Sequence, residues 1–142
     1  MPLMRWAHKR GLKNHLETNG TLPAPMAALA QLCDAVAMDL KLPSSTGRET
    51  WSAHRDFLRV APPGTFIKVV LTDKTTDEEW KKVLELVRRA PRPVPLYLQP
   101  ATPFGGAKPI PAERCLRFEA AARRAVKEVF VRPQWHHLWR LP

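Results

Sequence analysis

The chain has 142 residues, 44% of them hydrophobic, which is enough for one domain with one hydrophobic core and too little for two. Its 23 Lys and Arg against 13 Asp and Glu give a formal charge of +10, which would attract anionic partners such as nucleotides or nucleic acid. The basic residues are spread over at least four segments, however, which favours solvated helix faces. No apolar stretch reaches the length of a membrane span and the amino terminus has no signal-peptide pattern, so we expect a cytoplasmic protein without a membrane partner.

Helical and strand-like patterns alternate along the chain, which is typical of β/α units that build a parallel sheet. In chain order they predict helix 3–10, strand 15–18, helix 25–32, strand 35–38, helix 48–60, strand 66–71, a helix from Thr76, strand 96–98, helix 113–128 and strand 129–131. The helix from Thr76 is the clearest, since Thr76 and Glu79 fit a capping box. We therefore expect one α/β domain over residues 1–142, with about five short, mostly parallel strands and flanking helices.

The sequence predicts an unpaired sheet edge at its first strand and two cysteines outside any metal-binding motif. No strand is predicted before the first helix, so the first strand lacks a neighbour on one side; we expect that another polypeptide covers that edge or that the unit is incomplete. Cys33 and Cys115 lie far apart and outside any C-x-x-C spacing, so we expect two small buried apolar residues and no metal site.

Four short motifs follow one another along the sequence: Glu-Thr-Asn-Gly at 17–20, Asp-Leu-Lys at 39–41, Tyr-Leu-Gln at 97–99 and Pro-Gln-Trp-His at 133–136. In order and spacing they resemble the 7-carboxy-7-deazaguanine synthases of the radical S-adenosylmethionine superfamily. The resemblance covers nearly the whole chain. It implies the carboxy-terminal half of a radical S-adenosylmethionine enzyme, with the fold of a partial (β/α) barrel.

Members of that family also carry a C-x-x-x-C-x-x-C loop that binds a [4Fe–4S] cluster and a Gly-Gly-Glu strand that binds S-adenosylmethionine. Neither motif occurs in these 142 residues. Because a cluster requires thiolates at fixed spacing, which the two cysteines do not provide, we expect no catalytic residue and no metal ligand here and a chain that is inactive alone. A truncated gene model, a split gene and a decayed gene are the explanations left open.

The resemblance implies that five residues contact the substrate: Glu17, Thr18, Gln99, His136 and the terminal carboxylate of Pro142. Glu17 would accept hydrogen bonds from ring nitrogens, and Gln99 would both donate and accept. Thr18 would bond either the substrate or the backbone. The alternative for Glu17 is a strand-end carboxylate paired with a neighbouring Arg or Lys.

Two further residues match positions that contact S-adenosylmethionine in the family. Asp39 would contact the ribose, and Lys41 would offer a point charge to the carboxylate. An exposed lysine at a strand end is the alternative for Lys41. The next polar residues, Ser44 and Ser45, are expected to cap the following helix.

By the same resemblance, the reaction is conversion of 6-carboxy-5,6,7,8-tetrahydropterin to 7-carboxy-7-deazaguanine, a step towards queuosine. The intact family uses S-adenosylmethionine, a [4Fe–4S] cluster and Mg²⁺. The expected partner is the pterin, with a separate amino-terminal chain or a second copy of this chain left open. Two other functions stay open: a non-catalytic basic module that binds RNA or nucleotides, and a fragment of another radical S-adenosylmethionine enzyme, such as a glycyl-radical activating enzyme.

Overall fold

The computed structural model describes residues 2–103 and 106–133, in which strands and helices alternate. The strands are β1 (His15–Thr18), β2 (Ala35–Asp39), β3 (Thr65–Leu71), β4 (Leu96–Pro100) and β5 (Val129–Val131). The helices are α1 (Pro2–Lys9), α2 (Pro23–Leu29), α3 (Pro43–Thr46), α4 (Trp51–Val60), α5 (Asp77–Arg88) and α6 (Ala112–Ala125), and a 3₁₀ turn (Ala30–Leu32) follows α2. The alternation predicted from the sequence is confirmed.

The five strands form one sheet in the order β1-β2-β3-β4-β5, and every neighbouring pair is parallel. Consecutive parallel strands are joined by crossovers of one hand, so helices that pack on such a sheet gather on one side of it. In the described part of the chain β1 forms one edge of the sheet and β5 the other. The sheet is therefore wound in a single direction, as in a segment of a (β/α) barrel.

The hydrophobic core lies between the helices and one face of the sheet. Alternate residues of the strands are fully buried there, among them Val36, Met38, Ile67, Val69, Leu96 and Leu98. Apolar residues of four helices pack against them, among them Met26, Phe57, Trp80, Val83 and Phe118. Helix α1 buries none of its residues, so it adds little to this core.

The sequence located some helix boundaries wrongly. The helix predicted over 48–60 begins only at Trp51, and residues 43–46 form the separate short helix α3. Ser44 and Ser45 lie inside α3 and do not cap a helix; Leu42 occupies the N-cap position and makes no side-chain cap bond. The reason is that Pro43 suits the first helical position and that Glu79, 35 residues further along the chain, accepts a hydrogen bond from the Ser44 amide.

Two other local predictions are confirmed, the capping box and the burial of the cysteines. Thr76 and Glu79 form a complete capping box at the start of α5, and Cys33 and Cys115 are buried with free thiols. The last helix ends at Ala125, three residues earlier than predicted. In the part of the chain that the structure describes, no helix is long and apolar enough to cross a membrane.

Candidate ligand-binding face of the sheet

The side of the sheet away from the helices, called here the open face, carries the polar strand residues. In β3 the exposure alternates strictly, with Thr65, Ile67, Val69 and Leu71 buried and the residues between them partly exposed. Side chains alternate between faces along every strand, so Lys68 lies on the open face. The strand pairing continues this row, because Asp39 and Tyr97 are the direct partners of Lys68 in β2 and β4.

Four charged residues meet on the open face and form what we call the charged cluster. Lys68 Nζ lies 3.3 Å from Glu17 Oε2 and 3.7 Å from Asp39 Oδ1, and Lys41 Nζ lies 3.0 Å from Asp39 Oδ2. Their signs alternate along the chain of contacts from Glu17 to Lys41. The outer members are accessible, since the Glu17 side chain is 69% exposed and that of Lys41 43%, whereas Lys68 is only 18% exposed. The cluster thus presents charge to a ligand at both ends and is fixed at its centre.

An aromatic row crosses the open face beside the charged cluster. Successive ring centroids are 6.1, 5.2 and 4.8 Å apart, in the order His15, Phe66, Tyr97 and Phe130. The Arg132 guanidinium lies 5.7 Å from the centre of the Phe130 ring. Rings at these spacings attract one another and give the face an apolar surface against which a flat ring can stack.

A cavity of about 330 Å³ opens at the carboxyl ends of β2, β3 and β4, next to Lys41. It is lined by Leu40, Lys41, Leu42, Ser45, Thr46, Val70, Thr72, Ala101, Thr102 and Ala107. Parallel α/β sheets bind ligands at the carboxyl ends of their strands, and this volume lies at the lower end of the range for small-molecule sites. A second cavity, of about 360 Å³, is lined by residues 87–88, 90–95 and 125–128 and by none of the charged cluster.

The turn after β1 is held by a buried histidine. His54, with no exposed surface, reaches from α4 so that its Nε2 lies 3.1 Å from the carbonyl oxygen of Asn19. Burial lowers the pKa of His54, and the hydrogen bond to Asn19 only partly offsets this, so the ring is neutral at pH 7 and donates from Nε2. Gly20 completes the turn with a positive φ of 66°. This turn fixes the backbone that follows Glu17.

The segment after Asp39 is held in a similar way by Glu79. One carboxylate oxygen of Glu79 accepts from the Ser44 amide at 2.6 Å, and the other accepts from the Thr76 amide at 2.8 Å. Burial acts to raise the pKa of Glu79, but the hydrogen bonds from Thr76 and Ser44 outweigh it and leave the pKa below its usual range. The charged carboxylate therefore joins the first turn of α5 to α3, just beyond Lys41.

Three of the residues predicted from the sequence to bind ligands belong to the charged cluster, and Gln99 lies apart from them. Glu17 and Asp39 meet through Lys68, and Lys41 joins them. Gln99 is on the same face but pairs with Val70; it is four residues further along and three strands across from Glu17, roughly 20 Å between Cα atoms on a flat sheet.

Thr18 differs from Glu17 because it alternates to the other side of β1. Its hydroxyl accepts a hydrogen bond from the Gly20 amide at 3.3 Å, which is the backbone alternative among its two expected roles. His136 and Pro142 lie outside the described residues, so their roles stay predictions.

The buried cysteines do not suit a metal cluster. Burial raises the pKa of both thiols, and the carboxylates of Asp34 and Glu119 raise those of Cys33 and Cys115 further. Both sulfurs are therefore held as thiols, whereas cluster iron binds thiolates. Over residues 2–103 and 106–133, no three His, Cys, Asp or Glu side chains are grouped so as to hold a metal ion.

Sequence reasoning missed Lys68 and the aromatic row. A signal for Lys68 was present, because it is the single charged residue in the apolar run 65–71, and a charge at the middle of a central strand is costly unless it is paired. The aromatic row had no comparable signal, since Phe66, Tyr97 and Phe130 are ordinary strand residues and only the register brings them together.

Sequence comparison identifies relatives of the chain. A 7-carboxy-7-deazaguanine synthase of Geobacter sulfurreducens is 35% identical over 138 residues, which are 94% of this chain and 55% of the relative. The chain is related to the 7-carboxy-7-deazaguanine synthase family. Synthases of Methanopyrus kandleri and Thermococcus kodakarensis are 33% and 30% identical over 70% and 73% of this chain. The chain spans about half the length of these curated relatives, and no protein-family model matches it.

Solved structures give the fold of this synthase relative independently. A domain of a pyruvate-formate lyase-activating enzyme from Bacteroides vulgatus superposes with a TM-score of 0.74 at 14% identity, over 92% of this chain and 88% of that one. A radical SAM methyltransferase from Sphaerobacter thermophilus gives 0.64 at 20% identity, over 87% of this chain and 42% of the other. The predicted fold class, a partial α/β fold of the radical S-adenosylmethionine type, is confirmed.

Proposed function

We propose that this chain forms the substrate- and cofactor-binding wall of a radical S-adenosylmethionine enzyme that makes 7-carboxy-7-deazaguanine from 6-carboxy-5,6,7,8-tetrahydropterin. The observation that carries the proposal is the charged cluster. Its two carboxylates and two ammonium groups lie on the open face, and Asp39 and Lys41 are at the carboxyl end of β2, in a chain 35% identical to a synthase of that product.

The pterin is assigned to the region between Glu17 and Gln99. Glu17, exposed at the end of β1, accepts hydrogen bonds from ring N–H groups, and Gln99 both donates and accepts. Because the two residues stand roughly 20 Å apart by Cα on a flat sheet, one bicyclic ligand reaches both only if it spans the gap between the two side-chain ends. The aromatic row lies beside that gap, and a flat ring can stack on it.

S-adenosylmethionine is assigned to Asp39, Lys41 and the adjoining cavity, and the donor set fits it. The Asp39 carboxylate accepts from ribose hydroxyls, Lys41 offers its charge to the ligand's carboxylate, and about 330 Å³ lies beside them. The chemistry that this cofactor supplies in the enzyme class is abstraction of a hydrogen atom from the substrate. The chain's own contribution is to bind and orient.

The iron–sulfur cluster does not fit the residues of this chain, because the two cysteines are buried thiols on different elements. We therefore assign the cluster to polypeptide outside these 142 residues, and the chain alone is inactive. Anaerobic reconstitution of the purified protein with iron and sulfide should give no cluster absorbance and no cleavage of S-adenosylmethionine. A reconstituted cluster that cleaves it would refute this assignment.

Calorimetric titration tests the ligand assignments directly. The purified protein should bind S-adenosylmethionine and, under anaerobic conditions, the pterin. Asp39→Asn and Lys41→Gln should each weaken the first ligand by roughly tenfold, as expected for a lost charge-assisted contact. The matched control is Lys13→Gln, which removes a lysine paired with Asp34 at 2.9 Å away from the open face. Absence of binding, or equal losses in the control, would refute the proposal.

A further inference from the structure

Lys68 lies between the two carboxylates of the charged cluster. Among the described residues, Lys68 alone forms salt bridges with both Glu17 and Asp39, and it stands on β3, the central strand of the sheet. Its side chain is 18% exposed, against 69% for Glu17 and 30% for Asp39. A ligand resting on the open face therefore meets the two carboxylates before it meets the Lys68 ammonium.

Fold stability gives no reason for a lysine at this position. A β-branched or aromatic residue suits a central strand better, and an ammonium group at 18% exposure gives up hydration that its two contacts must replace. Those contacts come from strands β1 and β2, which pair with each other and lie on the same side of β3. The lysine thus fixes the direction of two carboxylates that strand pairing alone leaves free to rotate.

We infer that Lys68 is a positioning residue that sets Glu17 and Asp39 relative to each other, and so sets the pterin relative to S-adenosylmethionine. The inference rests on the proposed function for the identity of the two ligands. The coupling between the two carboxylates does not depend on the proposed function, because it is a property of this chain without ligand. Lys68 itself touches neither ligand in this arrangement, because its ammonium group is occupied by the two carboxylates.

Affinity measurements test the inference in the presence of ligand. Lys68→Met keeps the length of the side chain and removes its charge, and it should weaken both ligands by roughly tenfold. Lys68→Arg restores a cation and should stay within about threefold of the natural protein. The control is Lys82→Met, since Lys82 lies 3.7 Å from Glu49 away from the open face. Loss of one ligand alone, or an arginine variant as weak as the methionine one, would overturn the inference.

A measurement without ligand separates this inference from the proposed function. In the natural protein, Glu17→Gln should shift the ¹³C resonance of the Asp39 carboxyl, because both groups share one ammonium. In the Lys68→Met background the same change should move that resonance less than half as far. Equal movements in the two backgrounds would overturn the inference even if both ligands bind, and unequal ones would support it even if neither does. Lys68→Gln replaces Lys68→Met if the latter does not fold.

Discussion

Replacing Glu79 by Gln tests whether one buried carboxylate organises the segment that carries Lys41. The Glu79 residue is 8% exposed, and its two oxygens accept from two different backbone amides, those of Ser44 and Thr76. Glutamine has nearly the same shape but only one acceptor oxygen. Its NH₂ group would face the second amide, donor against donor, so one of the two hydrogen bonds must be lost.

The size of the effect follows from the two bonds. A hydrogen bond to a charged group contributes about 1.5–3 kcal/mol, and a buried amide left without a partner costs about 1–3 kcal/mol. Since one bond is lost and the other loses its charge, we expect Glu79→Gln to lower the free energy of unfolding by about 2–3 kcal/mol. The neighbouring Glu78, exposed in the same first turn, contributes only through the helix dipole, so Glu78→Gln should cost about 0.5 kcal/mol.

Urea denaturation at pH 7 followed by circular dichroism measures both variants. The midpoint for Glu79→Gln should fall by roughly 1 M relative to Glu78→Gln, given the slope expected for a chain of this size. If the two variants unfold at the same midpoint, Glu79 does not join α3 to α5. Other contacts would then have to hold the segment after Asp39 in place.

Three further results are expected. Because burial lowers the pKa of His54, the unfolded chain binds a proton at this residue at a higher pH than the folded protein does. His54 therefore leaves the free energy of unfolding unchanged above pH 6.5, and below that pH the free energy of unfolding should fall by up to about 1.4 kcal/mol per pH unit. The His54→Gln variant should lose this slope in urea titrations, and a variant with unchanged slope would contradict the assignment. Gly20→Ala should destabilise by more than about 1 kcal/mol, since φ is +66° and the new Cβ would lie 2.6 Å from Met38 Cε; a neutral result would exclude that turn geometry. Trp80→Phe removes the 3.1 Å hydrogen bond from Nε1 to the Phe118 carbonyl and should cost about 1–2 kcal/mol by thermal unfolding, whereas no loss would show that bond to be dispensable.

Much of the fold could be predicted because each strand and helix carries a local signal. The capping box of α5 and the apolar run of β3 each involve only a few neighbouring residues. All five strands were predicted to within two residues of their bounds. The separate helix α3 could not be predicted. It depends on the contact between Ser44 and Glu79, which are 35 residues apart, and no local pattern reports such a contact.

The candidate site was predictable only in part for the same reason. Glu17, Asp39 and Lys41 came from short motifs, and the register of β1 with β2 then brought them near one another. The role of Lys68 depends on its being the partner of Asp39 across β2 and β3. Strand register is set by packing over the whole sheet. Predicting the strands from the sequence therefore does not predict which residues face each other.

The claim that the open face binds the ligands is tested most directly by nuclear magnetic resonance of the ¹⁵N-labelled protein. Addition of S-adenosylmethionine should shift amide signals around 39–46, and addition of the pterin should shift those of β1 and β4 around Glu17 and Gln99. Signals from the outer surfaces of α4 and α5, where many basic residues lie, should stay in place. Shifts confined to those helices, and abolished by salt as for a polyanion site, would contradict the account.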